Sequence, residues 1–222
     1  MTRLIFLPGM DGSVHIFSQL KRLLSAHPVT IVCYPKQITD EWLSDIIAST
    51  DAHIVIGFSF GGILARRLAT LRPEFVTGVI CVNSAYALSQ LNHRLHPMLP
   101  WLNRLPKWMI QSLYRKRLRG LLSNEGFDYP QSVAYLAKIS DAHDIIARHQ
   151  LIKHIWVDTV QVPVFWIFGT LSAELSFQKE IFCTFRPNEA YYLVQGGHRC
   201  LLTKPQIVEQ NIKQVIQKLE IS

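Results

Sequence analysis

One short stretch of the chain combines residue types that could carry nucleophilic chemistry. An apolar run leads into Gly57-Phe58-Ser59-Phe60-Gly61, which is a G-x-S-x-G pattern. In this pattern a serine sits on a strained turn between a strand and a helix, with its hydroxyl exposed. The glycines are needed because the two backbones pass so close to the serine that a Cβ would clash. We predict that Ser59 is a nucleophile, the alternative being an ordinary serine that caps a helix.

Short apolar runs alternate with amphipathic segments on both sides of this turn. The alternation predicts a parallel sheet with crossover helices, whose strands are buried on both faces. We expect helices between the strands, one of them near residues 177–182, and a closing helix over 207–219. The predicted strands cover residues 3–7, 29–33, 54–57, 76–82, 162–169 and 190–194.

The alternation stops between residues 86 and 157. Leucines there recur at helical intervals, and prolines cut the segment into pieces. The segment holds ten Lys and Arg residues against four Asp and Glu, and so carries six of the seven net positive charges of the chain. We predict a helical insertion within a single domain that spans residues 1–222.

Composition narrows the class of protein. The chain has 222 residues, 49% of them hydrophobic and 18% charged, which predicts one globular core. No apolar run approaches the roughly 18 residues of a membrane-spanning helix. The apolar start is shorter than the core of about 7–15 residues in a signal peptide, so we expect a cytoplasmic protein. Its four cysteines lack metal-binding spacing and are expected to be free thiols, with Cys33 and Cys81 buried in strands.

Three motifs together resemble those of the α/β-hydrolase superfamily. Leu7-Pro8-Gly9-Met10-Asp11-Gly12 follows the first strand, Gly57-Phe58-Ser59-Phe60-Gly61-Gly62 forms the turn described above, and Gly196-Gly197-His198 precedes the last helix. The resemblance covers the chain outside the insertion, which falls where that family carries its lid. It implies an α/β-hydrolase fold, with a mostly parallel sheet of about six strands, helices on both faces and a helical lid.

The resemblance also implies roles for single residues. Ser59 would be the nucleophile, and His198 the base that takes its proton and returns it to the leaving group. The backbone N–H groups of Met10 and Phe60 would form the oxyanion hole, which stabilises the negative charge that develops during acyl transfer.

The third member of the expected triad departs from the family pattern. The family places an aspartate three residues after the glycine that ends the penultimate strand, but Ser172 stands there. Glu174 lies two residues further on and has a longer side chain, which makes it our candidate for the acid. The alternatives are that Asn83, after the fourth strand, orients the histidine without charge, or that the acid is absent.

Aromatic and apolar residues of the insertion suggest where an acyl chain would bind. We predict that Trp101, Trp108 and Met109 contact the substrate in an apolar tunnel over Ser59. The alternative is that these side chains pack the insertion onto the body of the domain.

The insertion also contains a basic run, Arg115-Lys116-Arg117-Leu118-Arg119. Arg115 and Arg117 are candidate binding residues for an acidic partner such as acyl carrier protein, coenzyme A phosphates or anionic lipid head groups. The alternative is a solvated surface. Nucleic acid is not expected as a partner, because no nucleic-acid-binding motif is present.

The expected function is that of a serine esterase or thioesterase that needs no cofactor or metal. A compact hydrolase with a basic lid is similar to the carboxylesterases that cleave the methyl ester of pimeloyl-acyl carrier protein in biotin synthesis. One alternative is an acyltransferase that excludes water and lets an alcohol or thiol attack the acyl-enzyme. Another is a binding protein that kept the fold, which Ser172 in place of the acid would favour.

Overall fold

The computed structural model describes residues 2–47, 51–86, 105–157, 159–171 and 188–221. Trp101, Ser172, Glu174 and the helix expected near residues 177–182 lie outside these ranges.

Six parallel strands form one sheet within the described residues, in the order β2-β1-β3-β4-β5-β6. The predicted sheet is thereby confirmed. The second strand is shorter than predicted because it lies at the sheet edge and pairs only with β1, and Cys33 beyond it is exposed rather than buried. The strands are β1 (Arg3–Leu7), β2 (Val29–Ile31), β3 (His53–Phe58), β4 (Val76–Val82), β5 (Val164–Gly169) and β6 (Glu189–Val194).

Helices cover both faces of the sheet, as predicted. One face packs against α1 and α8, and the other against α2 and α3. The helices are α1 (Ser18–Leu23), α2 (Asp40–Asp45), α3 (Phe60–Leu71), α4 (Lys107–Asn124), α5 (Tyr129–Leu136), α6 (Ala142–Ile155), α7 (Cys200–Thr203) and α8 (Pro205–Ile221), with a 3-10 helix at Val14–Phe17 before α1. No helix in the described ranges is long and apolar enough to cross a membrane.

Successive residues of the central strands enter different cores. Leu4 and Phe6 of β1 face the α1 and α8 side, whereas Ile5 and Leu7 face the α2 and α3 side. All four are buried. A strand buried on both faces reads as a continuous apolar run, which is why the sequence pattern located these strands well.

The insertion (residues 86–157) contributes α4, α5 and α6, and its described residues contain no strand. It packs onto both cores of the body, through Leu118, Leu122 and Tyr135 on one side and through Ile152 and Ile155 on the other. The described residues of the predicted insertion therefore share the two main hydrophobic cores.

Both ends of the insertion meet at Arg66 of α3. The buried guanidinium donates to the carbonyl of Tyr86 at 3.5 Å and to the carbonyl of Val157. It also lies 5.1 Å from the ring centre of Trp156 and 5.5 Å from that of Trp166. The helix that follows Ser59 thus anchors the first and last residues of the insertion.

The strand order reverses between β1 and β3. From β1 the chain goes to β2 on one side of β1, and it then crosses over β1 to reach β3 on the other side. The strand that follows β1 in the chain and the strand that follows β3 therefore lie in opposite directions along the sheet. Open parallel sheets bind ligands at such a point, where the strand order reverses. Leu7 and Gly57 are register partners at these strand ends, which places the loop after β1 beside Ser59.

Two glycines allow the backbones to approach at these strand ends. A Cβ on Gly57 would lie 2.2 Å from the carbonyl oxygen of Gly61, and a Cβ on Gly61 would lie 2.0 Å from the carbonyl oxygen of Leu7. These neighbours are backbone atoms, which cannot rotate away as a side chain can.

We expect Gly61→Ala to destabilise the fold by about 1–3 kcal/mol, because the added methyl group forces β1 and α3 apart. Gly120→Ala in α4 is the matched control, since a Cβ there meets no atom within 4 Å. Alanine in a helix interior stabilises by about 0.5–1 kcal/mol relative to glycine. Thermal unfolding followed by circular dichroism should show a lower midpoint for the first variant and an unchanged or higher one for the second. An unchanged midpoint for Gly61→Ala would contradict the close approach.

Candidate active site

Ser59 occupies a strained turn between β3 and α3. Its φ is 52° and its ψ is −116°, a region that residues with a side chain rarely occupy and that costs about 1–3 kcal/mol. Backbone hydrogen bonds hold the turn from both sides, from Ser59 N to Val82 O at 2.9 Å and from Gly62 N to Ser59 O at 3.0 Å. The serine side chain makes no helix-capping hydrogen bond. The turn therefore has the strained strand-to-helix conformation that the sequence pattern predicts, and the Ser59 side chain does not cap α3.

The loop after β1 (residues 8–12, the β1 loop) lies directly beside Ser59. A Cβ on Gly9 would lie only 3.6 Å from the Ser59 Cβ. The Gly9 carbonyl accepts a hydrogen bond from the Gly12 N–H at 2.9 Å, within the turn. Because a trans peptide places its C=O and N–H on opposite sides, the Met10 N–H points away from that turn. The neighbouring Phe60 is the first residue of α3, so its N–H has no helical acceptor.

The half-buried Tyr34 and the buried Arg148 fix the direction of the β1 loop through hydrogen bonds to its carbonyl groups. The Tyr34 hydroxyl donates to the Pro8 carbonyl at 2.5 Å, and Arg148 Nη1 of α6 donates to the Met10 carbonyl at 2.9 Å. Arg148 also lies over the Tyr34 ring, 5.0 Å from its centre. Burial raises the pKa of the Tyr34 phenol, so the hydroxyl stays a donor at neutral pH.

Asp11 ties the same loop to the insertion. Its Oδ1 accepts from the Ser13 N–H at 3.1 Å, as in an ordinary turn, and its Oδ2 accepts from the Tyr135 hydroxyl at 2.6 Å. The Asp11 carbonyl accepts from the Ser140 N–H at 2.7 Å. Burial, followed by the negative charge of Asp11, raises the pKa of Tyr135, which therefore remains protonated and able to donate.

His198 lies on the loop between β6 and α7 (residues 195–199, the histidine loop). Its side chain is buried, and its ring centre lies 5.1 Å from that of Phe58, the residue before Ser59. The loop of the predicted base thus lies beside the end of the strand that leads to the predicted nucleophile, although the two residues are 139 positions apart in the chain.

Asn83 connects the ends of three strands. Its Nδ2 donates to the His198 carbonyl at 2.7 Å and to the Gly197 carbonyl at 3.3 Å, and its Oδ1 accepts from the Gly169 N–H at 2.6 Å. Only an amide offers donors and an acceptor on one short side chain, as this position requires. The backbone has a φ of 46°, which asparagine tolerates better than most residues. The uncharged Asn83 side chain therefore orients the histidine loop through hydrogen bonds to the backbone of that loop.

Cys200, two residues after His198, is not a competing nucleophile. Burial raises the pKa of its thiol to about 12, and Asn83 Nδ2 lies 3.2 Å from its Sγ. The thiol is therefore protonated at neutral pH, whereas the thiolate is the reactive form.

The predicted substrate-binding residues lie on α4 where they are described. Trp108 is 73% exposed, Met109 is half-buried, and Arg115 and Arg117 are exposed. Most of the Trp108 surface therefore faces solvent, and its contact with a substrate stays a prediction. Trp101 and Glu174 lie outside the described residues.

Sequence analysis did not find the residues that hold the β1 loop. Tyr135 and Arg148 stand in helical segments whose local pattern resembles that of any amphipathic helix. Their partners are 124 and 138 positions away, so no local signal marks them.

We expect Asn83→Asp to lower stability by roughly 1–3 kcal/mol, because a carboxylate would face two backbone carbonyls without hydrogens to donate. Ester hydrolysis should fall as well, since the histidine loop loses its anchor. Asn124→Asp, on the exposed end of α4, is the matched control and should change neither property appreciably. Thermal unfolding and initial rates measure both effects. Equal or higher activity in Asn83→Asp would show that catalysis does not depend on the hydrogen bonds that the Asn83 amide donates to the histidine loop.

Comparisons with known proteins agree with this fold. The sequence model of the alpha/beta hydrolase family matches residues 4–210. No curated protein sequence matches the chain significantly.

Solved structures share the fold at low sequence identity. A marine microorganism esterase is 19% identical with a TM-score of 0.65, over 96% of this chain and 94% of that one. A thermophilic esterase from Thermogutta terrifontis is 14% identical with a TM-score of 0.73, over 99% and 90%. An enol-lactonase from Burkholderia xenovorans LB400 is 12% identical with a TM-score of 0.73, over 97% and 91%. Identities this low establish the fold alone.

The family match covers nearly the whole chain. The three motifs that carry the resemblance follow the carboxyl ends of the parallel strands β1, β3 and β6. The chain is a hydrolase that belongs to the alpha/beta hydrolase family.

Proposed function

We propose that the protein is a serine hydrolase that cleaves a carboxylic ester or thioester of an acyl substrate through an acyl-enzyme on Ser59. The observation that carries the proposal is the conformation of Ser59, with a φ of 52° and a hydroxyl that caps no helix. Strain of this kind persists only where the surroundings impose it, and it is concentrated at functional sites.

The first half of the reaction would form the acyl-enzyme. His198 takes the proton from the Ser59 hydroxyl while the oxygen attacks the carbonyl carbon of the substrate. The negative charge on the carbonyl oxygen is stabilised by the N–H groups of Met10 and Phe60. The tetrahedral intermediate then collapses, and the leaving alcohol or thiol departs with the proton held by His198.

The second half would release the acid. His198 takes a proton from water, whose oxygen attacks the acyl carbon and forms a second tetrahedral intermediate. Its collapse returns the proton to Ser59 and frees the carboxylic acid. Glu174 is our candidate for the carboxylate that stabilises the protonated imidazole.

The substrate class is supported by the named structural neighbours. Two of them are named as esterases and one as an enol-lactonase. We extend that chemistry to this chain as a proposal. Trp101 and Met109 remain candidates for contact with the acyl group, and Trp108 could contact it only from the exposed side of α4.

A fluorophosphonate probe should label the protein at Ser59, because such probes react with an activated serine. Ser59→Ala should abolish labelling and lower the hydrolysis of p-nitrophenyl esters by at least about 10³-fold. Ser112→Ala, on an exposed part of α4, is the control and should label and hydrolyse normally. In-gel fluorescence and initial rates are the readouts.

Two other outcomes of that experiment would support a different function. A protein that does not label at all would be a binding protein that kept the fold. A protein that labels but transfers the acyl group to an added alcohol or thiol, in preference to water, would be an acyltransferase.

We further propose that the acyl group arrives on an acidic carrier, either acyl carrier protein or coenzyme A. Helix α4 contains five Lys and Arg residues and no acid. Lys107 pairs with Asp141, whereas Arg115, Lys116 and Arg117 stand exposed. A single-sign surface of this kind steers an oppositely charged partner. A methyl ester on acyl carrier protein, as in biotin synthesis, is one substrate of this kind.

If a carrier docks on α4, kcat/KM for an acyl-carrier-protein ester should fall steeply as salt rises, because the Debye length shrinks from about 10 Å at 0.1 M to about 3 Å at 1 M. Arg115→Gln with Arg117→Gln should lower the same parameter about tenfold at low salt. Free p-nitrophenyl esters should show neither effect. Lys21→Gln, on the exposed side of α1, is the control for loss of a positive charge elsewhere. Equal salt dependence for carrier-bound and free esters would refute the docking proposal.

A further inference from the structure

A glutamate from the insertion contacts the residues on both sides of His198. Arg199 N donates to Glu125 Oε2 at 2.7 Å, and Arg199 Nη1 donates to Glu125 Oε1 at 2.8 Å. A Cβ on Gly197 would lie only 2.6 Å from the Glu125 Cγ. The glutamate thus packs against the histidine loop immediately before and immediately after the predicted base.

The Glu125–Arg199 pair is almost completely buried. The two side chains are 11% and 6% exposed. Removing two charges from water is costly, and an apolar pair of the same volume often stabilises a fold equally well. A buried pair of this kind is therefore better explained by a requirement for position than by stability. Both carboxylate oxygens are engaged, and one of them holds a backbone N–H rather than a side chain, so the contact constrains the course of the loop itself.

Glu125 is itself held in place by the insertion. It is the C-terminal cap residue of α4, and its N–H donates to the Leu121 carbonyl at 3.1 Å and to the Leu122 carbonyl at 3.1 Å. Leu122 is fully buried in the main core. The carboxylate is therefore presented to the histidine loop from a rigid helix end.

The same network reaches the β1 loop. The Arg199 guanidinium lies 5.9 Å from the ring centre of Tyr135, and the Tyr135 hydroxyl donates to Asp11 Oδ2. Two loops that follow different strands, one expected to carry the base and one the oxyanion hole, are thereby linked through α4 and α5.

We propose that Glu125 is a positioning residue for His198, so that docking of the insertion sets the place of the base. The inference rests on the proposed serine hydrolase function. Proton transfer from Ser59 requires the imidazole within hydrogen-bond reach, and a displacement of 1 Å can reduce the rate by about 10²-fold. Because Glu125 acts through the backbone of the loop, its removal should affect the chemical steps and leave substrate binding intact.

The first test compares Glu125→Gln and Glu125→Ala with the parent protein, with a p-nitrophenyl ester as substrate. The rates are measured well below the unfolding temperature of every variant. We expect kcat to fall about tenfold in Glu125→Ala with KM within about twofold, which is the pattern of an interaction that matters in the transition state. Glu125→Gln keeps an acceptor for the Arg199 N–H, so its kcat should lie between those of the parent and of Glu125→Ala. Labelling of Ser59 by a fluorophosphonate should slow in parallel. Glu74→Gln, which breaks the exposed pair with Arg72, is the matched control.

A second test uses the close contact between Gly197 and Glu125. Gly197→Ala should lower kcat in the parent because its methyl group displaces the loop or the glutamate. The same substitution should cost less in the Glu125→Ala background, where the contacted Cγ and carboxylate are gone. Non-additive effects of this kind are the signature of two residues that act through contact. If Glu125→Ala does not fold, the comparison of Glu125→Gln with the parent still stands.

The results separate failure of this inference from failure of the proposed function. If the parent does not label at Ser59, the serine hydrolase proposal fails. If the parent labels and both Glu125 variants keep the parental kcat and labelling rate, the positioning role is refuted even where their unfolding temperature falls.

Discussion

The close approach of three backbone segments at the end of β3 is the constraint on which this structure depends. The end of β1, the end of β3 and the start of α3 meet where Gly57 and Gly61 leave no space for a Cβ. Ser59 is held at positive φ between them, and the cost of that conformation is offset by surroundings that are rigid. Every residue of β3 is buried, and the first six residues of α3 are buried as well. A turn of this kind can be maintained only at the centre of a well-packed sheet.

The insertion is part of this rigid framework. Arg148 and Tyr135 hold the β1 loop, and Glu125 contacts the histidine loop. Of these contacts, the one from Tyr135 to the β1 loop is buried and the other two are partly buried. A polar group that loses its partner away from water costs more than the bond itself contributed. The insertion cannot therefore move away from the body without leaving such groups unpaired. Its apolar residues were predicted to form a tunnel for an acyl chain, and that stays a prediction. In the described part of the insertion, the buried Tyr135 supports the β1 loop through Asp11.

Asn83 performs a related task from the opposite side of the histidine loop. It stands at the end of β4 and bonds backbone groups after β5 and after β6. The carboxyl ends of parallel strands lie side by side, so one short amide can bridge three of them. Hydrogen bonds to main-chain atoms leave a loop little freedom, since they restrain the backbone directly. His198 is therefore on a loop restrained by Asn83 on one side and by Glu125 on the other.

The sequence by itself determined the alternation of strands and helices, the family, and the candidate roles of Ser59 and His198. The predictions of the sheet and of the family are confirmed because continuous apolar runs, helical spacing and glycine-bounded turns are local patterns, readable within about ten residues. The roles of Ser59 and His198 stay predictions. Only the tertiary structure decided what holds the two loops in place. Asn83 and His198 are 115 positions apart, Glu125 and Arg199 are 74 apart, and Asp11 and Tyr135 are 124 apart. Such pairs are created by the order of the strands and by the docking of the insertion, and a buried tyrosine or glutamate has the same local sequence as an exposed one until a partner is brought to it.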